Sequence, residues 1–214
     1  MEEIGLRPRR RTQDERTAQT RVRVLDAALA CLVERGYAGT TTTAVADRAG
    51  VSRGAQLHHF RTRAALVAAA VEHLYAGLTA DYEKEFANLS PGADRVGAAI
   101  DLLWQAFEDP RLAAVLELYV AGRTDREVRE QLAKVASRHR ARLTELARAY
   151  FPVAQEDEEE FEDLLALVLD ALQGTAVAQL VEPDRGRARR ALSRLKRIAK
   201  AELARGEIPR RARA

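Results

Sequence analysis

The stretch "VSRGAQLHHF" places two adjacent histidines, His58 and His59, between Arg53 and Phe60. An imidazole can ligate a metal, carry a proton or touch a phosphate, so the pair admits three chemistries. Zinc needs about four ligands. The chain offers only His73 and His139 besides, both in distant stretches, and a single cysteine, Cys31. Neighbouring positions on a helix also point about 100° apart, which turns the two rings away from one ion. No metal site is therefore expected. We find no nucleophile elbow, phosphate-cradling glycine loop or ordered Ser–His–Asp set, so an enzyme such as a small helical hydrolase is the disfavoured class. No catalytic residue and no cofactor are expected. Cys31 reads as a small buried residue rather than a redox sensor. What remains for the histidines is a structural role or contact with a polyanion.

The charge distribution suits the second. The net charge is only +3, but residues 1–66 hold 12 Lys and Arg against 7 Asp and Glu. Residues 67–182 hold 11 against 22, and residues 183–214 hold 12 against 3. A basic module joined to an acidic body fits a protein whose first third meets nucleic acid and whose middle is repelled by it. No apolar run of about 18 residues and no secretory signal are recognised, so a cytoplasmic protein without membrane contact is expected.

The elements that must position these residues read as helices throughout. Alanine, leucine, arginine and glutamate dominate, and no stretch alternates in the manner of a strand. Residues 1–15, with "RPRRR", read as a disordered basic arm. A helix over 17–35 carries Val22, Leu25, Leu29 and Leu32 on one stripe, and Gly36 stops it. Thr41 or Thr42 caps a short helix with Val45, Ala46 and Ala49 inward, ended by Gly50. Ser52 caps another over 53–60. Two short helices joined by a tight glycine-containing turn outline a helix-turn-helix. Further helices are expected near 62–87, 93–108, 111–122, 125–150, 157–181 and 185–205, nine in all. The acidic run at 156–163 suits a helix start rather than a metal site.

Residues 36–66, "GYAGTTTTAVADRAGVSRGAQLHHFRTRAAL", resemble the DNA-binding segment of TetR-family transcriptional regulators. The resemblance lies in a glycine and aromatic after the first helix, threonines opening the second, "AVADRAGVSRG" across the turn, and His-Phe before a basic residue and an alanine/leucine-rich helix. It implies an all-α protein with residues 16–61 as the DNA-binding domain and residues 62–214 as an effector-binding and dimerisation domain. Arg53 stands at the start of the recognition helix, where a guanidinium fork can donate to guanine O6 and N7 together. Gly54 allows close approach, and the Ala55 methyl can touch a thymine methyl. The resemblance gives Thr42 and Thr43 phosphate contacts, His58 and His59 sugar and phosphate contacts, and Arg63 a phosphate-clamping role. Where the family often has leucine then tyrosine, this chain has Gln56 then Leu57. Leu57 is expected to take the core position while Gln56 turns to the DNA, where an amide can read adenine.

Two apolar bands suggest a symmetric four-helix interface in a homodimer. One holds Phe161, Leu164, Leu165, Val168, Leu172 and Val177; the other holds Leu192, Leu195 and Ile198. Packing inside one chain is the alternative. Leu103, Trp104, Phe107, Leu116, Tyr119, His139 and Leu143 are candidates to line an effector cavity. The resemblance implies a repressor released from a palindromic double-stranded operator when a small molecule shifts the helix after Thr62. The alternatives are a non-switching architectural DNA-binding protein and a helical scaffold that has lost DNA binding.

Overall fold

The computed structural model describes residues 12–90, 92–151 and 158–206. Among these residues there are nine helices and no strand: α1 (Gln13–Gly39), α2 (Thr42–Ala49), α3 (Arg53–His59), α4 (Arg63–Ala87), α5 (Arg95–Phe107), α6 (Pro110–Ala121), α7 (Arg126–Tyr150), α8 (Glu158–Val181) and α9 (Arg185–Gly206). The expected boundaries fall within a few residues of these. Of the expected basic arm, residues 1–11 lie outside the described residues, as do residues 156 and 157 of the acidic run. Residues 13–15 belong to α1 instead, because Thr12 and Glu15 form a capping box. The Thr12 side chain accepts from the Glu15 amide, and the Glu15 carboxylate accepts from the Thr12 amide.

Gly36 interrupts α1 with φ 63 and ψ −178. A β-carbon there would sit 2.6 Å from Oε2 of Glu117 on α6. The left-handed backbone calls for glycine, and any side chain there would also have to displace the Glu117 carboxylate. The inward face of α1 is broader than the expected stripe: Val24, Leu25, Ala28, Leu29, Cys31 and Leu32 are buried, whereas Val22 is exposed.

The core comes in two main parts. The larger joins α1, α2, α4, α6 and α7, with Leu25, Leu66, Leu118 and Val128 fully buried. Each such side chain contributes about 1.5–3 kcal/mol relative to exposure. Buried residues therefore run unbroken from the three short-linked N-terminal helices into the body. The second part joins α5, α8 and α9 through Ile100, Val168, Leu172, Leu192 and Ala199. A 2.6 Å ion pair between Lys196 and Asp101, and another between Lys200 and Asp94, tie α9 to α5.

This second core takes up part of the expected interface bands. Val168, Leu172 and Leu192 are buried within the chain, with Leu164 and Leu195 packed against them, and Phe161 packs with Ala147. Leu165 is half-buried, and Val177 and Ile198 remain exposed. α5 claims the inward bands because it lies across both helices, leaving their opposite faces open. α8 also corrects the expectation about apolar length. Its most apolar 18-residue window has a mean hydropathy of 1.7, enough by length and composition to cross a membrane, and only 11% of that window is buried.

Candidate nucleic-acid interface

α2 and α3 form a compact corner built by local chemistry. Thr41 caps α2 by accepting from the Ala44 amide at 3.1 Å. Gly50, left-handed at φ 62, ends α2, and the Val51 amide donates to the Ala46 carbonyl at 3.1 Å. Ser52 starts α3 by accepting from the Ala55 amide at 3.1 Å. Arg23 of α1 donates to the carbonyl of Gly50 at 3.3 Å and to that of Ala49, so the turn is held from behind. A bidentate pair between Arg48 and Glu34 fixes α2 to α1. Val45, Ala49 and Phe60 are buried at the back of the corner.

Arg53 is exposed at the first residue of α3 and has no partner among the described residues. Gly54 and Thr43 are exposed, and Ala55 and Thr42 are half-buried. His58 is exposed and His59 partly covered; their rings meet edge to face at 5.6 Å and 89°, facing different ways. Burial, with the neighbouring His58 and Arg21, lowers the pKa of His59. Arg61, which sequence reasoning passed over, is exposed between α3 and α4 and also unpartnered among the described residues.

Two expected positions are reversed. Gln56 is 0% exposed and Leu57 is 45% exposed. Neither Oε1 nor Nε2 of Gln56 has a hydrogen-bond partner. The cause is register: Phe60 is the apolar anchor of α3, and the position four residues before it, Gln56, shares its face. Gln56 therefore cannot read adenine from this arrangement. Arg63 is likewise not a free phosphate clamp. Its guanidinium lies 3.8 Å from the centre of the Tyr37 ring and donates to the Tyr37 carbonyl. Around it, the Tyr37 amide donates to Glu117 at 2.8 Å and the Thr62 hydroxyl to Glu127 at 2.6 Å. Local sequence carried no sign of this cluster, because Glu117 and Glu127 come from α6 and α7.

The letters Gly50-Val51-Ser52-Arg53-Gly54 fit the spacing of a nucleophile elbow, which the sequence reading passed over. Such an elbow joins a strand to a helix. Here the segment joins two helices, and the Ser52 hydroxyl serves as the α3 cap.

The seven candidate cavity residues divide between two spaces. Trp104, Leu116 and Tyr119 line a wide groove of about 1590 Å³ between α6 and the α8–α9 pair. Leu103, His139 and Leu143 line an inner cavity of about 230 Å³ between α4, α5, α7 and α8, and Phe107 borders both. Tyr75, Thr79 and Tyr82 of α4 complete the inner cavity. Their spacing of four and three residues marks one helix face, a signal the sequence did contain. The Tyr75 ring stacks on His139 at 4.0 Å and 10°, and its hydroxyl meets that of Tyr119 at 3.1 Å. Burial lowers the pKa of His139 to about 4. Burial also raises that of the Tyr75 hydroxyl.

An exposed helix-turn-helix corner on an all-helical body is the arrangement of a DNA-binding regulator. Residues 24–70 match the profile described as "Bacterial regulatory proteins, tetR family". The chain is 34% identical over 193 residues to the HTH-type transcriptional regulator CymR of Pseudomonas putida, covering 90% of this chain and 95% of that one. Among solved structures it resembles the multidrug binding protein EbrR complexed with ethidium, at 27% identity and a TM-score of 0.61, covering 83% and 98% of the two chains. A regulator from Rhodococcus sp. shares the fold at 21% identity and a TM-score of 0.66, covering 87% and 99%. The chain belongs to the TetR family of transcriptional regulators.

Proposed function

We propose that the chain is a cytoplasmic homodimeric repressor that leaves a two-fold operator when a small molecule enters its body. Residues 16–61 read the DNA, and residues 62–214 hold the effector and the partner subunit. The observation that carries this reading is Arg53, exposed and unpartnered at the N-terminus of a helix whose back is packed. Helix N-terminal residues are the ones such motifs present to base edges in the major groove. Gly54, Ala55, Thr42, Thr43, His58 and His59 surround it at the same corner, and Arg61 adds a further cation for the backbone.

The dimer face is the open side of α8 and α9, where Leu167, Val177, Leu180, Val181 and Ile198 are exposed. An apolar patch of this kind on a soluble chain marks an interaction surface. The effector occupies the inner cavity. Ligand binding by EbrR, complexed with ethidium, supports an effector role for the body of this relative. α4 links the two functions, because it begins at Arg63 beside the DNA-binding corner and carries Tyr75, Thr79 and Tyr82 into the cavity wall. A ligand moves that helix only by binding the released state more tightly than the DNA-bound one.

Selection of duplexes from a randomised pool by the intact protein tests the reading. The expected product is an inverted repeat, and Arg53→Ala should erase the preference. A pool that never converges would overturn it.

A further inference from the structure

We propose that the inner cavity takes an uncharged aromatic molecule the size of an alkylphenol, oriented by a hydrogen bond between its polar substituent and His139. This rests on reading that cavity as the effector site.

Size comes first. The cavity measures about 230 Å³. That lies between the roughly 150 Å³ that accommodates benzene and the roughly 300 Å³ where sites for drug-sized ligands begin. It suits a single ring with a short substituent. Shape agrees, since Tyr75, Tyr82 and Phe107 contribute aromatic walls. Aromatic side chains favour offset or edge contacts with another ring.

Charge decides the class. No lysine or arginine lines the cavity. Arg138 and Arg142 line an adjoining groove of about 270 Å³ that shares Tyr75, Thr79 and His139 with the cavity, and there Glu72 and Glu83 already pair with them. A carboxylate ligand would be buried without a cation, which is costly. A cationic ligand would find only Asp81 and Glu85, and both are exposed, so water screens them. The least costly occupant carries no charge.

Polarity then fixes the orientation. Neither ring nitrogen of His139 has a hydrogen-bond partner among the described residues, although burial keeps the ring neutral at pH 7. A neutral imidazole offers one donor and one acceptor. The hydroxyls of Thr79 and Tyr82 are also without a partner among the described residues. These polar groups line the cavity with their bonding capacity open, so the cluster fits a ligand that brings one hydroxyl or carbonyl.

The test is titration calorimetry of the intact protein at pH 7 with four probes of one shape: 4-ethylphenol, 4-ethylbenzoate, 4-ethylbenzylammonium and ethylbenzene. 4-Ethylphenol should bind at least tenfold more tightly than either charged probe. His139→Leu should weaken 4-ethylphenol about tenfold and leave ethylbenzene unchanged, whereas His139→Gln should retain most of the affinity. Equal or tighter binding of the benzoate or the ammonium would overturn the assignment, as would an unchanged 4-ethylphenol affinity in His139→Leu. If a charged probe wins and filling the cavity with Leu143→Trp, or the milder Leu169→Phe, removes its binding, the cavity remains the effector site and only the ligand class is wrong. If no probe binds at millimolar concentration, both the class and the cavity reading fail.

Discussion

α3 hides an amide and shows a leucine, whereas α8 buries only Phe161, Val168 and Leu172 and leaves Leu167, Val177, Leu180 and Val181 exposed. Both depart from the usual partition of apolar inside and polar outside, in opposite directions and for different reasons. In α3 the whole helix is seven residues long, and its placement is dictated by Phe60 and by the Ser52 cap. Whatever stands at position 56 is carried inside with them. In α8 the helix is long and its inner face is already served by α5 and α9, so the outer face, with Leu180 at 59% and Val181 at 88% exposure, is left uncovered. A buried polar group marks where the fold overrides composition. An uncovered apolar face marks where the single chain is incomplete.

The largest effect should come from attacking α8. Placing carboxylates in the uncovered face with Val177→Glu and Leu180→Glu should turn the dimer into a monomer, seen by sedimentation, with operator affinity falling more than a hundredfold. Each apolar side chain covered in an interface contributes about 1.5–3 kcal/mol, and symmetry counts it twice. A mutant that stays dimeric would move the interface elsewhere.

At the DNA-reading corner, Arg53→Ala should remove about 1–3 kcal/mol of discrimination between the preferred duplex and a scrambled one, measured by fluorescence anisotropy. Arg61→Ala should instead weaken both duplexes alike and shallow the salt dependence. Loss of preference in the second variant and not the first would reverse their roles.

The inner cavity adds a pH signature. His139 has a folded-state pKa of about 4 against an ordinary value of 6.5. The unfolded chain therefore binds a proton that the folded one refuses between these values. Above pH 6.5 the group has no effect, and as pH falls from 6.5 to 4 it lowers stability by up to about 3 kcal/mol. Denaturant unfolding of the wild type and His139→Phe should diverge across that window; parallel curves would contradict the burial of the ring.

A smaller effect is expected from Gln56→Leu. Replacing an amide with two unsatisfied ends by an apolar side chain of similar size should stabilise the fold by about 1–3 kcal/mol. At this chain length that is a rise in Tm of several degrees by calorimetry. Unchanged or reduced stability would mean that the amide is satisfied in solution.

The fold was legible because its signals are local. Caps at Thr41 and Ser52, the glycine stop at Gly50 and helical periodicity each act within a few residues, and the helix boundaries followed from them. The corner's exposed residues were legible for the same reason. Gln56 and Leu57 were assigned the wrong way round because side-chain polarity was set against helical phase, and phase relative to Phe60 prevails. The packing of Arg63 on Tyr37 was not legible, because the tertiary fold brings together residues 26 positions apart. Of the expected interface residues on α8 and α9, Val168, Leu172 and Leu192 are buried within the chain, whereas Val177 and Ile198 are exposed. An apolar band in sequence does not say which neighbour reaches it first, and here α5 does.

Sedimentation of the intact protein on its selected duplex is the most direct test of a two-fold reader built around Arg53. Two chains should bind one inverted repeat, with the half-site centres one helical turn or a multiple of it apart, and Arg53→Ala should bind that repeat and a scrambled duplex alike. A single chain per duplex, or a preference that survives the loss of Arg53, would contradict the account.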